Sequence, residues 1–165
     1  MASGLLTELD FSQAVAALPL VSVDLIVVNA AGELLLGLRR NEPARGYWFT
    51  PGGRIRKNEL YVQCLYRVAR EELCLNEHVV QCAKLMGVWD HFYDTSAFSA
   101  EVQTHYVNLP HLLKLEHPLV PDALPNDQHS SWRWQAAEKA AVDECVHPYT
   151  RVYAQWVVQN GFATQ

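Results

Sequence analysis

Between Gly53 and Leu75 the chain reads Gly53-x5-Glu59-x7-Arg67-x3-Glu71-Glu72-x-Cys74-Leu75. This places a glycine turn and a carboxylate at a helix entrance, then two adjacent carboxylates further along the same helix. A glycine turn lets a backbone carbonyl face an ion, and Glu72 can reach the same point from the helix. Hard oxygen ligands of this kind suit Mg²⁺, which keeps positions open for substrate phosphates. Arg67 precedes Glu71 by four residues, so a solvated helix laced by intrahelical ion pairs is the competing reading of the same spacing.

The segment is also basic. The chain has 13 Lys plus Arg against 18 Asp plus Glu, a net charge of -5. Eight of those cations (Arg39, Arg40, Arg45, Arg54, Arg56, Lys57, Arg67 and Arg70) nevertheless fall within residues 39–70. An acidic chain is a poor sequence-independent binder of nucleic acid, whose affinity rests on excess Lys and Arg. A local basic stretch points to a small polyphosphate.

The elements that position these groups follow from periodicity and turn chemistry. Thr7 to Asp10 forms a capping-box-like start for a short helix carrying Phe11, Ala14, Val15 and Leu18, closed by Pro19. Leu20 to Val28 and Glu33 to Leu38 flank Asn29-Ala-Ala-Gly32 and predict a hairpin. Trp48-Phe-Thr leads into Pro51-Gly52-Gly53, a breaker. From Leu60 to Leu73 there is no Pro or Gly, and Val62, Leu65, Ala69 and Leu73 line one helical face. Lys84 to Trp89, Val102 to Leu109 and Ser131 to Trp134 predict further strands, with a long loop at Glu116 to Gln128. Pro148 opens a last helix with an apolar stripe of Tyr149, Val152, Tyr153, Trp156 and Val157, ended by Gly161. Half of the residues are apolar or aromatic, enough for one core. We expect a single mixed α+β domain over residues 1–165, a curled mixed sheet between helices.

No basic residue precedes Arg39, and Pro19 and Asp24 interrupt the apolar run, so neither a signal peptide nor a spanning helix is expected and a cytoplasmic location is. Cys64, Cys74, Cys82 and Cys145 form no C-x-x-C pair and sit among apolar neighbours, which predicts four buried reduced thiols. Asp24 lies inside an apolar strand, where a carboxylate needs a partner, either an arginine or sugar hydroxyls.

The Gly53 to Leu75 pattern resembles the Nudix box: Gly53, Glu59, Arg67, Ala69, Glu71, Glu72 and Leu75 match it. Val68 stands where the family has its first helix glutamate, and Cys74 replaces the glycine that normally ends the helix. Outside the box the chain is similar to one branch, the GDP-mannose mannosyl hydrolases. The matching segments run in order from Pro19-Leu-Val-Ser-Val-Asp24 through Leu36-Gly-Leu-Arg39, Pro43-Ala-Arg-Gly-Tyr-Trp-Phe49, Pro51-Gly-Gly-Arg54, Gly87-Val-Trp-Asp-His-Phe-Tyr-Asp94 and Thr104-His-Tyr106 to Asp127-Gln-His129. The similarity spans about residues 10–155.

This resemblance implies a Nudix-like sheet sandwiched between helices and a Mg²⁺-dependent enzyme. Its reaction would break the bond from the sugar's anomeric carbon to the diphosphate, with inversion, releasing GDP and free sugar. The Gly52 carbonyl, Glu72 and Gln128 match the branch's metal ligands, and His129 fills the base role that Val68 cannot. Arg54, directly after the glycines, and Arg39 are the best diphosphate partners for such a substrate, since a guanidinium fork suits phosphate oxygens. Asp24 joins the catalytic set, His91 and Tyr106 match substrate-pocket positions, and Phe11, as a guanine stacker, and Arg67 complete the expected substrate-binding residues. A homodimer acting on a nucleotide sugar is implied as well, with no nucleic-acid or membrane partner. Two alternatives stand beside it. One is a pyrophosphohydrolase cutting between phosphates with Glu71 or Glu59 as base, the other a catalytically weak nucleotide-sugar sensor.

Overall fold

The computed structural model describes residues 6–160. The elements run α1 (Glu8–Ala17), β1 (Leu20–Asn29), β2 (Glu33–Arg39), β3 (Trp48–Phe49), β4 (Gly52–Arg54), α2 (Tyr61–Leu73), α3 (Glu77–Val80), β5 (Lys84–Leu85), β6 (Trp89–Tyr93), β7 (Thr104–Leu115), β8 (His129–Ala136), α4 (Ala137–Ala140) and α5 (Pro148–Asn160). Thr7 caps α1, its hydroxyl accepting the Asp10 N–H at 3.2 Å. Asn29 builds the predicted hairpin, its side-chain oxygen accepting the N–H groups of Ala31 and Glu33 at 2.9 and 3.0 Å, while Gly32 takes the left-handed φ of 80° that such a turn requires.

The strands make one eight-stranded mixed sheet ordered β3-β2-β1-β7-β5, with β4 on β1, β6 on β7 and β8 on β2. β1 and β7 run parallel in register from Leu20↔Tyr106 to Asn29↔Leu115. The alternation of β1 sends Val23, Leu25 and Val27 to one face, where α2 covers them with Leu65, Val68, Ala69 and Leu73. Ile26 and Val28 go to the other face, under Tyr153, Ala154 and Val157 of α5. On that second face Ser22 and Asp24 line a cleft at the edge of the α5 core, where the Tyr153 hydroxyl reaches Asp24.

Several expectations change. Pro51-Gly-Gly is not only a breaker: Gly52–Arg54 pairs antiparallel with Ser22 to Asp24. A Cβ on Gly52 would collide with the Asp24 carboxylate, so glycine is what admits the strand. The strand expected over residues 84–89 is two short ones, β5 and β6, both paired to β7. β7 continues through Pro110 to Leu115 because the parallel partner β1 supports it from Tyr106 onward. β8 starts at His129, two residues early, placing that histidine in a strand and not in a loop. Only Cys64 is buried; Cys74, Cys82 and Cys145 are exposed, and all four are free thiols. On α5 the buried face is Thr150, Tyr153, Ala154 and Val157, with Val152 outside. Gly161, expected to end that helix, lies outside the described residues.

α2 finishes as the Nudix box would with a glycine: Cys74 adopts the left-handed φ of 55° and its N–H returns to the Ala69 and Arg70 carbonyls. That conformation costs a non-glycine residue about 1 kcal/mol. Val68 is buried, and its methyl lies 3.1 Å from where a Cβ of Gly53 would stand. The position of the missing glutamate therefore serves the contact between α2 and β4.

Candidate active site

The cleft on the open half of the sheet is a shallow depression of ≈ 480 Å³ that is open to solvent. It gathers Asp24, Arg39, Gly52, Arg54, His91 and Tyr106 from five strands, together with Ser22, Thr50, Tyr93 and Asn108. Register explains the gathering. Asp24 faces Gly52, Ser22 faces both Arg54 and Asn108, and His91 faces Tyr106, so the side chains converge along neighbouring strands.

At its floor, the partner of Asp24 is neither an arginine nor left to a ligand. The Tyr153 hydroxyl on α5 donates to Asp24 Oδ2 at 2.7 Å and lies 3.1 Å from both His91 Nε2 and Asn108 Oδ1. Asn108 Nδ2 in turn donates to Ser22 Oγ at 2.8 Å. Burial pushes the Asp24 carboxyl up to about 7, the Tyr153 bond pulling the other way and the nearby Glu72 charge adding to the rise. Burial likewise holds His91 down to about 4, a neutral imidazole at physiological pH.

Glu72 and His129 do not line this cleft but form a buried pair beside it. His129 Nε2 lies 2.9 Å from Glu72 Oε2, with His129 0% and Glu72 8% exposed. The ring rests on Gly37, where any Cβ would collide with it, and tilts against Trp132 at 4.4 Å between centroids. Among the described residues His129 Nδ1 has no hydrogen-bond partner, so the contact is best formed by the tautomer carrying its proton on Nε2 and donating to the carboxylate. Gln128 is exposed, and its side-chain oxygen accepts from Asn41 Nδ2 at 3.3 Å.

Two expected pocket residues are turned elsewhere. Arg67 is locked outside the cleft: it donates to Glu59 at 2.7 and 2.9 Å and to the Arg54 carbonyl at 3.0 Å. The Glu59 bond raises its pKa and lowers that of Glu59. Its role is to brace the β4–α2 connection. Phe11 is 5% exposed, covered by the Arg54 guanidinium at 4.7 Å and by Phe98 edge-on at 5.5 Å, so it has no free face for a base. It supports Arg54 instead.

Tyr153 and Asn108 are the residues that spacing missed. A tyrosine on a core stripe and an asparagine within an apolar strand each demand a buried polar partner. That signal marks the residues without naming the partners.

Among the described residues no three or more His, Cys, Asp and Glu side chains group to hold a metal. The donors available are oxygens of another kind. Glu72 and Asp24 are buried carboxylates close enough to raise Asp24's pKa, and the Gly52 backbone approaches where no side chain intrudes. Such a set fits a hard divalent cation.

A NUDIX domain model matches residues 18–157, and the chain belongs to the Nudix hydrolase superfamily. It is 41% identical over 145 residues to the low-salt glycan biosynthesis protein Agl8 of Haloferax volcanii, covering 87% of this chain and 85% of that protein. Its fold is similar to that of a MutT protein from Methanosarcina mazei Go1, with a TM-score of 0.67 at 19% identity over 87% of this chain and 96% of that one. The E. coli dihydroneopterin triphosphate pyrophosphohydrolase superposes equally well, with a TM-score of 0.67 at 19% identity over 86% and 96%. No helix of the described residues is long and apolar enough to cross a membrane.

Proposed function

We propose that this Nudix hydrolase cleaves GDP-mannose, or a related GDP-hexose, by water attack at the anomeric carbon, giving GDP and free sugar. The observation that carries the reading is the cleft itself: two arginines, Arg39 and Arg54, share it with a buried floor of Asp24, His91 and Asn108. A diphosphate asks for the first set, and sugar hydroxyls ask for the second. The similarity to a glycan biosynthesis protein supports a nucleotide sugar over a free nucleotide.

Mg²⁺ is the proposed cofactor, held by Glu72 with the Gly52 carbonyl and Gln128, whose amide would exchange its Asn41 contact for the ion. When bound, it would offset the charge that gathers on the departing diphosphate. Arg39 and Arg54 bind the same oxygens, and Arg54 is held in place by its stacking on Phe11. Asp24 offers a carboxylate oxygen to the sugar. His129 is the proposed acceptor of the water proton. Its Nε2 faces the Glu72 carboxylate, so a water that exchanges for that contact would stand between the base and the metal ligand, and Nε2 would accept its proton in the tautomer that carries the ring proton on Nδ1. A homodimer is proposed from the resemblance to the GDP-mannose mannosyl hydrolases alone.

Product analysis tests the reading. With Mg²⁺ and GDP-mannose in ¹⁸O-labelled water, the label should enter mannose and not GDP, and proton NMR should detect β-mannose before mutarotation. GMP and mannose 1-phosphate as products would replace this reading with pyrophosphate cleavage. Tight binding without turnover would support a sensor.

A further inference from the structure

α5 lies outside the Gly53–Leu75 motif, yet it grips the cleft floor at two points one helical turn apart. Tyr149 stacks on the His91 ring at 3.9 Å with an interplanar angle of 8°. Tyr153, fully buried, sets a single hydroxyl within 3.1 Å of three cleft residues that come from three different strands: Asp24 on β1, His91 on β6 and Asn108 on β7. A phenol has one proton to give and two lone pairs. The phenol proton is shared in a three-centre bond, chiefly to Asp24 Oδ2 at 2.7 Å and more weakly to Asn108 Oδ1 at 3.1 Å, and the imidazole approaches as the donor to the phenol oxygen.

From this geometry we infer that Tyr153 is a positioning residue: its hydroxyl fixes Asp24, His91 and Asn108 in one arrangement that reads the hydroxyls of the sugar. The inference rests on the GDP-hexose reading and extends it to a residue that touches no substrate. The physical reason is preorganisation. Three polar groups on separate strands would otherwise each settle toward the nearest partner, and ordering them would fall to the ligand. The nucleotide half, held by Arg39 and Arg54, makes no use of the phenol. Tyr153 therefore acts on sugar affinity and not on GDP affinity.

Tyr153→Phe removes the hydroxyl and keeps the ring in its stack with Trp89, whose centroid is 5.1 Å away. We expect kcat/KM for GDP-mannose to fall tenfold or more, while the calorimetric Kd for GDP stays within about twofold. Val157→Ala, which thins the same α5 core, controls for packing and should lower Tm without separating sugar from GDP. The wild-type protein carries a second measurement that does not depend on the folding of Tyr153→Phe. With ¹³Cζ-labelled tyrosine, the Tyr153 resonance should move on adding GDP-mannose without metal and stay still with GDP. Equal effects of Tyr153→Phe on GDP and GDP-mannose, or no effect on either, would overturn the positioning role, as would a resonance indifferent to the sugar. A wild-type protein that hydrolyses GDP-mannose alongside those results leaves the proposed function standing. One that neither binds nor hydrolyses any GDP-hexose overturns both.

Discussion

Replacing His129 by glutamine separates two jobs that the Glu72 contact combines. In the structure His129 donates to a carboxylate that is 8% exposed, from a ring that is wholly buried. A hydrogen bond to such a charged group is worth about 1.5–3 kcal/mol, and leaving the carboxylate unpaired would forfeit it. Glutamine carries an N–H donor of similar reach, so part of that bond survives and we expect stability to drop by only about 1–2 kcal/mol. It cannot accept a proton at neutral pH. Loss of a positioned base typically costs about 10² to 10⁴ in rate, a barrier increase of about 3–5 kcal/mol. The two magnitudes separate the roles. The assay is kcat as a function of Mg²⁺ concentration, paired with Mn²⁺ affinity by electron paramagnetic resonance and a urea melt. The base role requires a kcat reduced by the full factor at every Mg²⁺ concentration, with Mn²⁺ affinity nearly unchanged. A wild-type kcat at saturating Mg²⁺, reached only at higher metal concentration, would refute it and leave His129 as a support for Glu72.

Glu72→Gln should abolish metal-dependent turnover, with partial relief at high Mg²⁺. Glu71→Gln should be mild, because its carboxylate is 48% exposed and meets only Arg67 at 3.8 Å; equal and total inactivation by both in a steady-state assay would favour pyrophosphate cleavage. Stability should also depend on pH in a defined direction. Burial holds both His91 and His147 at about 4 against an ordinary 6.5, so the unfolded chain binds protons that the folded one does not, and stability is lost as pH falls from 6.5 toward 4. Asp24, raised from 3.8 to about 7, works the other way and costs stability as pH rises through the same window. Two histidines against one carboxylate leave a net gain of about 1.4 kcal/mol per pH unit near the middle of that window. In urea melts with EDTA, Asp24→Asn should double that slope to about 2.7; an unchanged slope would show that Asp24 titrates as an ordinary carboxylate.

The sequence alone determined the parts whose physics is local. The β1–β2 hairpin follows from Asn29 and Gly32, and α2 from an uninterrupted apolar face. The capped start of α1 and the sheet between helices are legible in the same way, because backbone sterics and burial impose periods of two and 3.6 within a few residues. The same locality made Arg39, Gly52, Arg54 and Glu72 visible as candidates. Tertiary structure decided whom each side chain meets. Tyr153 reaches Asp24 across 129 positions and His129 reaches Glu72 across 57, contacts created by a parallel β1–β7 pair and by β8 returning to β2. Arg67 turned to Glu59 and Phe11 slid beneath Arg54 for the same kind of reason. A buried charge or ring takes the partner that the packed elements bring within about 3 to 5 Å, and no spacing along the chain encodes that distance.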